Sequence, residues 1–159
     1  MEPRGSFEQT AFDSTTLAAD PVAPMHEYQL VSFLGLQSAS ELRSVEAGGT
    51  VICISRPARG IAREYPAFQA WPDIAGEPLL RIIAALSSYE RSASADAYGF
   101  FTSSDDLLGY LSPIEVLTGR LLRPRAIDSE VMKLLEAPSE QRREAVIEAA
   151  EAFAACWFA

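Results

Sequence analysis

Apolar positions in this chain recur at helical spacing over most of its length, broken by one short run with a strand-like pattern. In "EYQLVSFLGL" (27–36), Leu30, Val31, Leu34 and Phe33 fall toward one side, which predicts a short helix. "SASELRSVEAGG" (38–49) follows. Ser38 three residues before Glu41 has capping-box spacing, Leu42 and Val45 give a buried side, and Gly48-Gly49 supplies a left-handed stop. "TVICISRP" (50–57) is β-branched and closed by proline, which predicts a strand. "ARGIARE" reads as a turn and "YPAFQAW" as a return strand, which Pro66 demotes to an edge or irregular ribbon.

Helical patterning then resumes. Pro78 suits a first turn, and Leu79, Ile82, Ile83 and Leu86 recur at helical spacing. "SASADAYGFF" (92–101) predicts a short helix. Ser103 or Ser104 can cap another, with Asp105 and Asp106 in its first turn. Ser112-Pro113 opens the next helix, Glu115 lies near its positive end, and Gly119 ends it. Asp128 caps a helix in "DSEVMKLLEA". Ser139 caps a last, alanine-rich one. No repeat of fixed length occurs.

The expected fold is therefore mainly α, with a small winged helix-turn-helix followed by a compact helical domain. The expected divisions are an extended or disordered tail (1–25), a winged module (26–70), a helical domain (71–125) and a C-terminal helical extension (126–159).

Composition narrows the chemistry. At 159 residues and 48% apolar content the chain can fill a modest core. No apolar run of about 18 residues is present, and the first residues lack the basic-then-apolar order of a secretory signal. Cys53 and Cys156 form no CxxC pair, which fits a reducing, cytoplasmic setting. His26 is the single histidine, so neither histidine catalysis nor a multi-histidine metal site is expected. GxSxG, Walker and dinucleotide glycine motifs are absent. Asp105 and Asp106 are adjacent, and on a helix their side chains diverge by about 100°, so they do not converge on one atom. The expectation is a non-enzyme without metal or cofactor.

A net charge of −9 argues against non-specific binding to nucleic acid. The faint basic island is residues 38–65, with four arginines against three acids. Arg56, Arg59 and Arg63 flank the proposed β-turn, and Arg43 lies on the second short helix. They could be a solvated turn, phosphate contacts of a DNA-binding wing, or contacts to an acidic protein. Phe100, Phe101, Leu107, Leu108, Tyr110, Leu111, Ile114, Leu117 and Leu121 are dense over little sequence. Most must be core, and the remainder would form a patch for a partner. Trp157 and Phe158 at the C-terminal end invite docking on the domain, a twin subunit or a target.

"FFTSSDDLLGYLSPIEVLTGRL" resembles the toxin-binding domain of the Xre/MbcA/ParS-type antitoxins. Phe100-Phe101 match that family's aromatic pair, Ser103 and Asp105 its turn, and Leu108-Gly109 its Leu-Gly step. Ser112-Pro113 match its helix start and Leu117 its buried leucine. "EYPAFQAW" looks like the ribbon ahead of the domain in some members, so the similarity spans about residues 38–125. Ser104, Asp105 and Tyr110 depart from the common proline, asparagine and second glycine.

The resemblance implies an antitoxin that covers the active site of a cognate toxin, typically a RES-type enzyme that degrades NAD. It also implies that the first module can bind operator DNA and repress its own operon. The expected partner-binding residues are Phe100, Phe101, Leu108, Tyr110, Pro113, Trp157 and Phe158, and the expected DNA contacts are Arg43, Arg56, Arg59 and Arg63. A homodimer is expected. The alternatives are a DNA-binding transcriptional regulator whose helical half serves dimerisation, and an adaptor with neither toxin nor operator.

Overall fold

The computed structural model describes Asp20 and residues 23–56, 61–87 and 93–156. Among these the protein is mainly helical with one small antiparallel sheet. Helix α1 (Glu27–Phe33) and helix α2 (Ala39–Ala47) come first. The Glu41 N–H donates to Ser38 Oγ (3.2 Å), as the capping spacing predicts, while the Glu41 carboxylate accepts from the Gln37 N–H (2.7 Å). Gly49 takes the left-handed turn (φ 77°) that ends this segment.

The sheet has order β1-β3-β2, from β1 (Pro24–Met25), β2 (Ile54–Arg56) and β3 (Ile61–Pro66). It departs from the expected ribbon in three ways. The return strand begins at Ile61, inside the stretch read as a turn, and lies at the sheet's centre rather than its edge. Pro66 is tolerated because it ends the strand; the next N–H, of Ala67, donates to the Ala23 carbonyl (3.0 Å). "AFQA" is not strand but a 3-10 turn, Ala67–Ala70.

That turn aims Gln69 back at the chain before β2. Gln69 is buried; its Oε1 accepts from the Ile52 N–H (3.0 Å) and its Nε2 donates to the Ile52 carbonyl (2.9 Å). One side-chain amide thus replaces a neighbouring strand for Ile52, which explains why β2 starts only at Ile54.

Helix α3 (Glu77–Leu86), helix α4 (Ala93–Thr102), helix α5 (Pro113–Thr118), helix α6 (Ser129–Glu136) and helix α7 (Ser139–Cys156) form the rest. Asp128 caps α6 as expected, accepting from the Val131 N–H (2.9 Å). Helix α7 begins at Ser139 itself. The Ser103/Ser104 helix is absent; Asp105 instead caps a single 3-10 turn, Asp106–Leu108.

Two apolar cores result. The smaller joins Met25, Leu30, Leu42, Val51, Cys53 and Tyr65. The larger joins α3 to α5 with Val146, Ile147, Ala149 and Ala150 of α7, so the last helix is packed into it through small and branched side chains. Phe101 is its aromatic centre, 4.9 Å from Phe68 and edge-on to Phe100 at 5.7 Å. No helix among the described residues is long and apolar enough to cross a membrane.

Candidate partner-binding surface

The segment 105–122 is held by local geometry and by two long-range clamps. The Asp105 N–H donates to the Leu111 carbonyl (3.0 Å), and the Tyr110 N–H donates to the Asp105 carbonyl (2.8 Å). Asp105 Oδ1 accepts from the Leu107 N–H (2.8 Å). This tight loop drives Leu108 and Leu111 into the core, both 0% exposed, and turns Leu107 and Tyr110 outward, 62% and 72% exposed.

Two consecutive residues accept a left-handed backbone here: Gly109 and Tyr110, both at φ 64°. Gly109 is required, because a Cβ would stand 2.6 Å from Val131 Cγ2 of α6. Tyr110 is the one non-glycine residue with positive φ among those described. A left-handed backbone costs an L-residue about 1–2 kcal/mol. The ring itself points into solvent.

The first clamp is Glu115. Its carboxylate is buried and accepts from Arg125 Nη1 (2.6 Å) and Nη2 (2.9 Å), the Ser112 N–H (2.9 Å) and the Leu122 N–H (3.1 Å). Burial pushes its pKa up, but the Arg125 guanidinium and the two backbone amides outweigh burial and hold the carboxyl at about 2. The second clamp is Arg142, which donates to the carbonyls of Val116 (2.9 Å), Leu117 (2.8 Å) and Ala137 (2.9 Å). It satisfies the carbonyl ends of α5 and α6 together.

Several expected partner-binding residues are core residues. Phe100 and Phe101 are 2% and 0% exposed, and Leu108 and Pro113 are also buried, so these four present no surface. Their short helices spend these side chains on the larger core. Tyr110 is exposed, and Leu107 joins it. Trp157 and Phe158 lie outside the described residues, as does Arg59.

Of the expected DNA contacts, Arg43 faces Glu27 (3.7 Å) and Arg63 pairs with Glu46 (2.5 Å). Arg56 ends β2. Glu46 also accepts from the Tyr65 hydroxyl (3.0 Å); burial, against the Arg63 hydrogen bond and with Glu46, pushes that phenol up to about 12. Burial and the Glu46 charge push the Cys53 thiol up as well, which disfavours its thiolate. Among the described residues no group of three His, Cys, Asp or Glu side chains converges on a metal position.

Sequence reasoning missed the arginines of 120–125. Arg120, Arg123 and Arg125 fall within six residues that contain no acid. The Arg120 guanidinium lies 5.3 Å from the Trp71 ring centroid, and Arg125 binds Glu115. The signal was visible as a charge run, but its partners are ten and more residues away.

Comparison with known proteins adds no relative: no protein-family model matches the sequence, and neither a curated protein nor a solved structure matches it.

Proposed function

We propose that this chain is an antitoxin-like inhibitor that covers the active site of a cognate RES-type, NAD-degrading enzyme in the cytoplasm. The observation that carries the reading is the rigid turn bearing Leu107 and Tyr110. Two large apolar side chains stand in solvent on a backbone fixed by the Asp105–Leu111 bridge, and one of them is kept at a conformational cost. A pre-ordered aromatic anchor loses little entropy on binding. Asp105 and Asp106 flank it and suit a partner whose pocket accepts phosphates and is therefore cationic. Inhibition is steric, with no bond made or broken.

Helices α1 and α2 followed by β2 and β3 have the order of a winged helix-turn-helix, so operator binding belongs to the same proposal as a second activity. It has weaker support, since Arg43 and Arg63 are matched by Glu27 and Glu46.

The test is co-expression with the product of the adjacent gene. The expected result is a stable complex and preserved NAD, with NAD lost when Leu107→Ser and Tyr110→Ser are combined. An adjacent product that neither binds nor consumes NAD removes the reading.

A further inference from the structure

Arg120 and Arg123 are exposed on the segment that leaves α5, and residues 120–125 contain no acid. Glu115 fixes this segment at three points. The Arg120 N–H donates to the Glu115 carbonyl (3.2 Å), the Leu122 N–H donates to Glu115 Oε1 (3.1 Å), and Arg125 grips the same carboxylate. Pro124 restricts the backbone of Arg123 as well. The Ser112 N–H donates to that carboxylate too (2.9 Å), so the segment returns to the start of α5, two residues from Tyr110.

Both arginines are unpaired in a chain that holds 22 acids against 13 lysines and arginines. Arg43, Arg63, Arg81, Arg125 and Lys133 each face a carboxylate, whereas among the described residues Arg120 and Arg123 form no ion pair. Arg120 is held by a ring instead: its guanidinium carbon lies 5.3 Å from the centroid of Trp71, which is 3% exposed. A guanidinium resting on an aromatic face keeps the N–H groups of its edge for a ligand. Leu122, between the two arginines, is 37% exposed.

We infer that Arg120, Leu122 and Arg123 extend the partner-binding surface beyond Tyr110 and receive carboxylates on the rim of the target enzyme's pocket, an inference that rests on the inhibitor reading above. Asp105 and Asp106 begin the run 105–125 and the arginines end it. A surface with opposite signs at its two ends docks in one orientation, because the reversed pose sets like charges together. Arg120 and Arg123 are then specificity residues, and Tyr110 is the anchor. A polynucleotide is the poorer occupant, since it meets a chain of net charge −9 and the two aspartates. A free oxyanion finds two exposed side chains without the amides of Arg120 and Leu122, which are already bonded to Glu115.

The test is association of the full chain with the NAD-degrading product of the adjacent gene, followed by biolayer interferometry from low to high salt. Arg120→Gln combined with Arg123→Gln is expected to slow association and weaken binding roughly tenfold at low salt, and Arg123→Gln alone roughly threefold. Arg123 packs on no ring, so the single variant reads charge without disturbing Trp71. Both losses are expected to close as salt rises. Arg81→Gln makes the same charge change on α3 and is expected to match the wild type. A wild type that binds while the double variant behaves like Arg81→Gln overturns this inference and leaves the inhibitor reading standing. A wild type that does not bind removes both. A loss that persists at high salt assigns the arginines to packing, and a promoter duplex released by the same substitutions assigns them to DNA; either overturns the inference.

Discussion

Arg125 grips Glu115 with both guanidinium nitrogens, Nη1 to Oε1 at 2.6 Å and Nη2 to Oε2 at 2.9 Å, and thereby fixes the chain that leaves α5. The carboxylate is almost wholly buried, and two backbone amides complete its shell. Removing either side strands the other. Arg125→Ala leaves a buried charge with amides alone, and Glu115→Gln leaves Arg125 without its anionic partner. Because Arg125 is partly exposed and water can screen the pair, each is expected to cost on the order of 2 kcal/mol, read as a lower midpoint in urea denaturation.

The same carboxylate sets an acid limit. Its pKa lies near 2 in the folded chain against an ordinary 4.5, so the folded state binds its proton less readily than the unfolded state. The resulting stability is fully present above pH 4.5 and drains away as pH falls from there toward 2. Stability measured across that window is expected to fall in the wild type and to change distinctly less in Glu115→Gln.

Tyr110 is the residue at which stability and function should separate. Glycine takes φ 64° without strain, so Tyr110→Gly is expected to gain up to about 1 kcal/mol despite its greater unfolded-state entropy. Little packing is lost, because the ring is 72% exposed. If the chain is the inhibitor proposed above, affinity for its enzyme target is expected to drop tenfold or more in the same variant, measured by calorimetry. A variant that is both more stable and equally tight would show that the ring anchors nothing.

The local signals in the sequence were sufficient where a few neighbouring residues decide the outcome. Ser112, Pro113 and Glu115 start a helix as their spacing predicts, and Asp128 caps the next. Tyr110 takes the left-handed backbone that glycine favours, directly after Gly109, and nothing in its neighbouring residues marks it for that conformation. What stayed hidden depends on distant partners. The Ser103/Ser104 helix fails because Asp105 is bridged to Leu111. Thr50–Cys53 is not strand because Gln69, seventeen residues on from Ile52, supplies the hydrogen bonds. Helical period alone could not rank Phe100, Phe101, Leu107 and Tyr110 by exposure, since each short helix or turn offers few positions and the core claims them by volume.

Gln69 gives a sharp test of that long-range bond. Gln69→Leu keeps the bulk but leaves the Ile52 N–H and carbonyl buried without partners, and is expected to cost about 2–3 kcal/mol. Gln69→Glu supplies an acceptor and no donor, so it restores one bond at most and buries a charge. A thermal melt in which Gln69→Leu matches the wild type would show that Ile52 finds water instead.

Arg142 links the two halves of the helical core, reaching from α7 to the last carbonyls of α5 and α6. Its Nη1 occupies the space over Gly119, where a Cβ would stand 2.6 Å away. Two separate substitutions therefore attack one contact. Arg142→Ala unties three carbonyls, and Gly119→Ala both strains a left-handed residue (φ 68°) and pushes the guanidinium out. Each is expected to destabilise by about 2 kcal/mol. Because they remove the same interaction, the double variant should lose clearly less than the sum of the two, a deviation of at least about 0.5 kcal/mol in a double-mutant cycle. Arg142→Lys is expected to rescue little, since one ammonium cannot span carbonyls that the planar fork reaches from two sides.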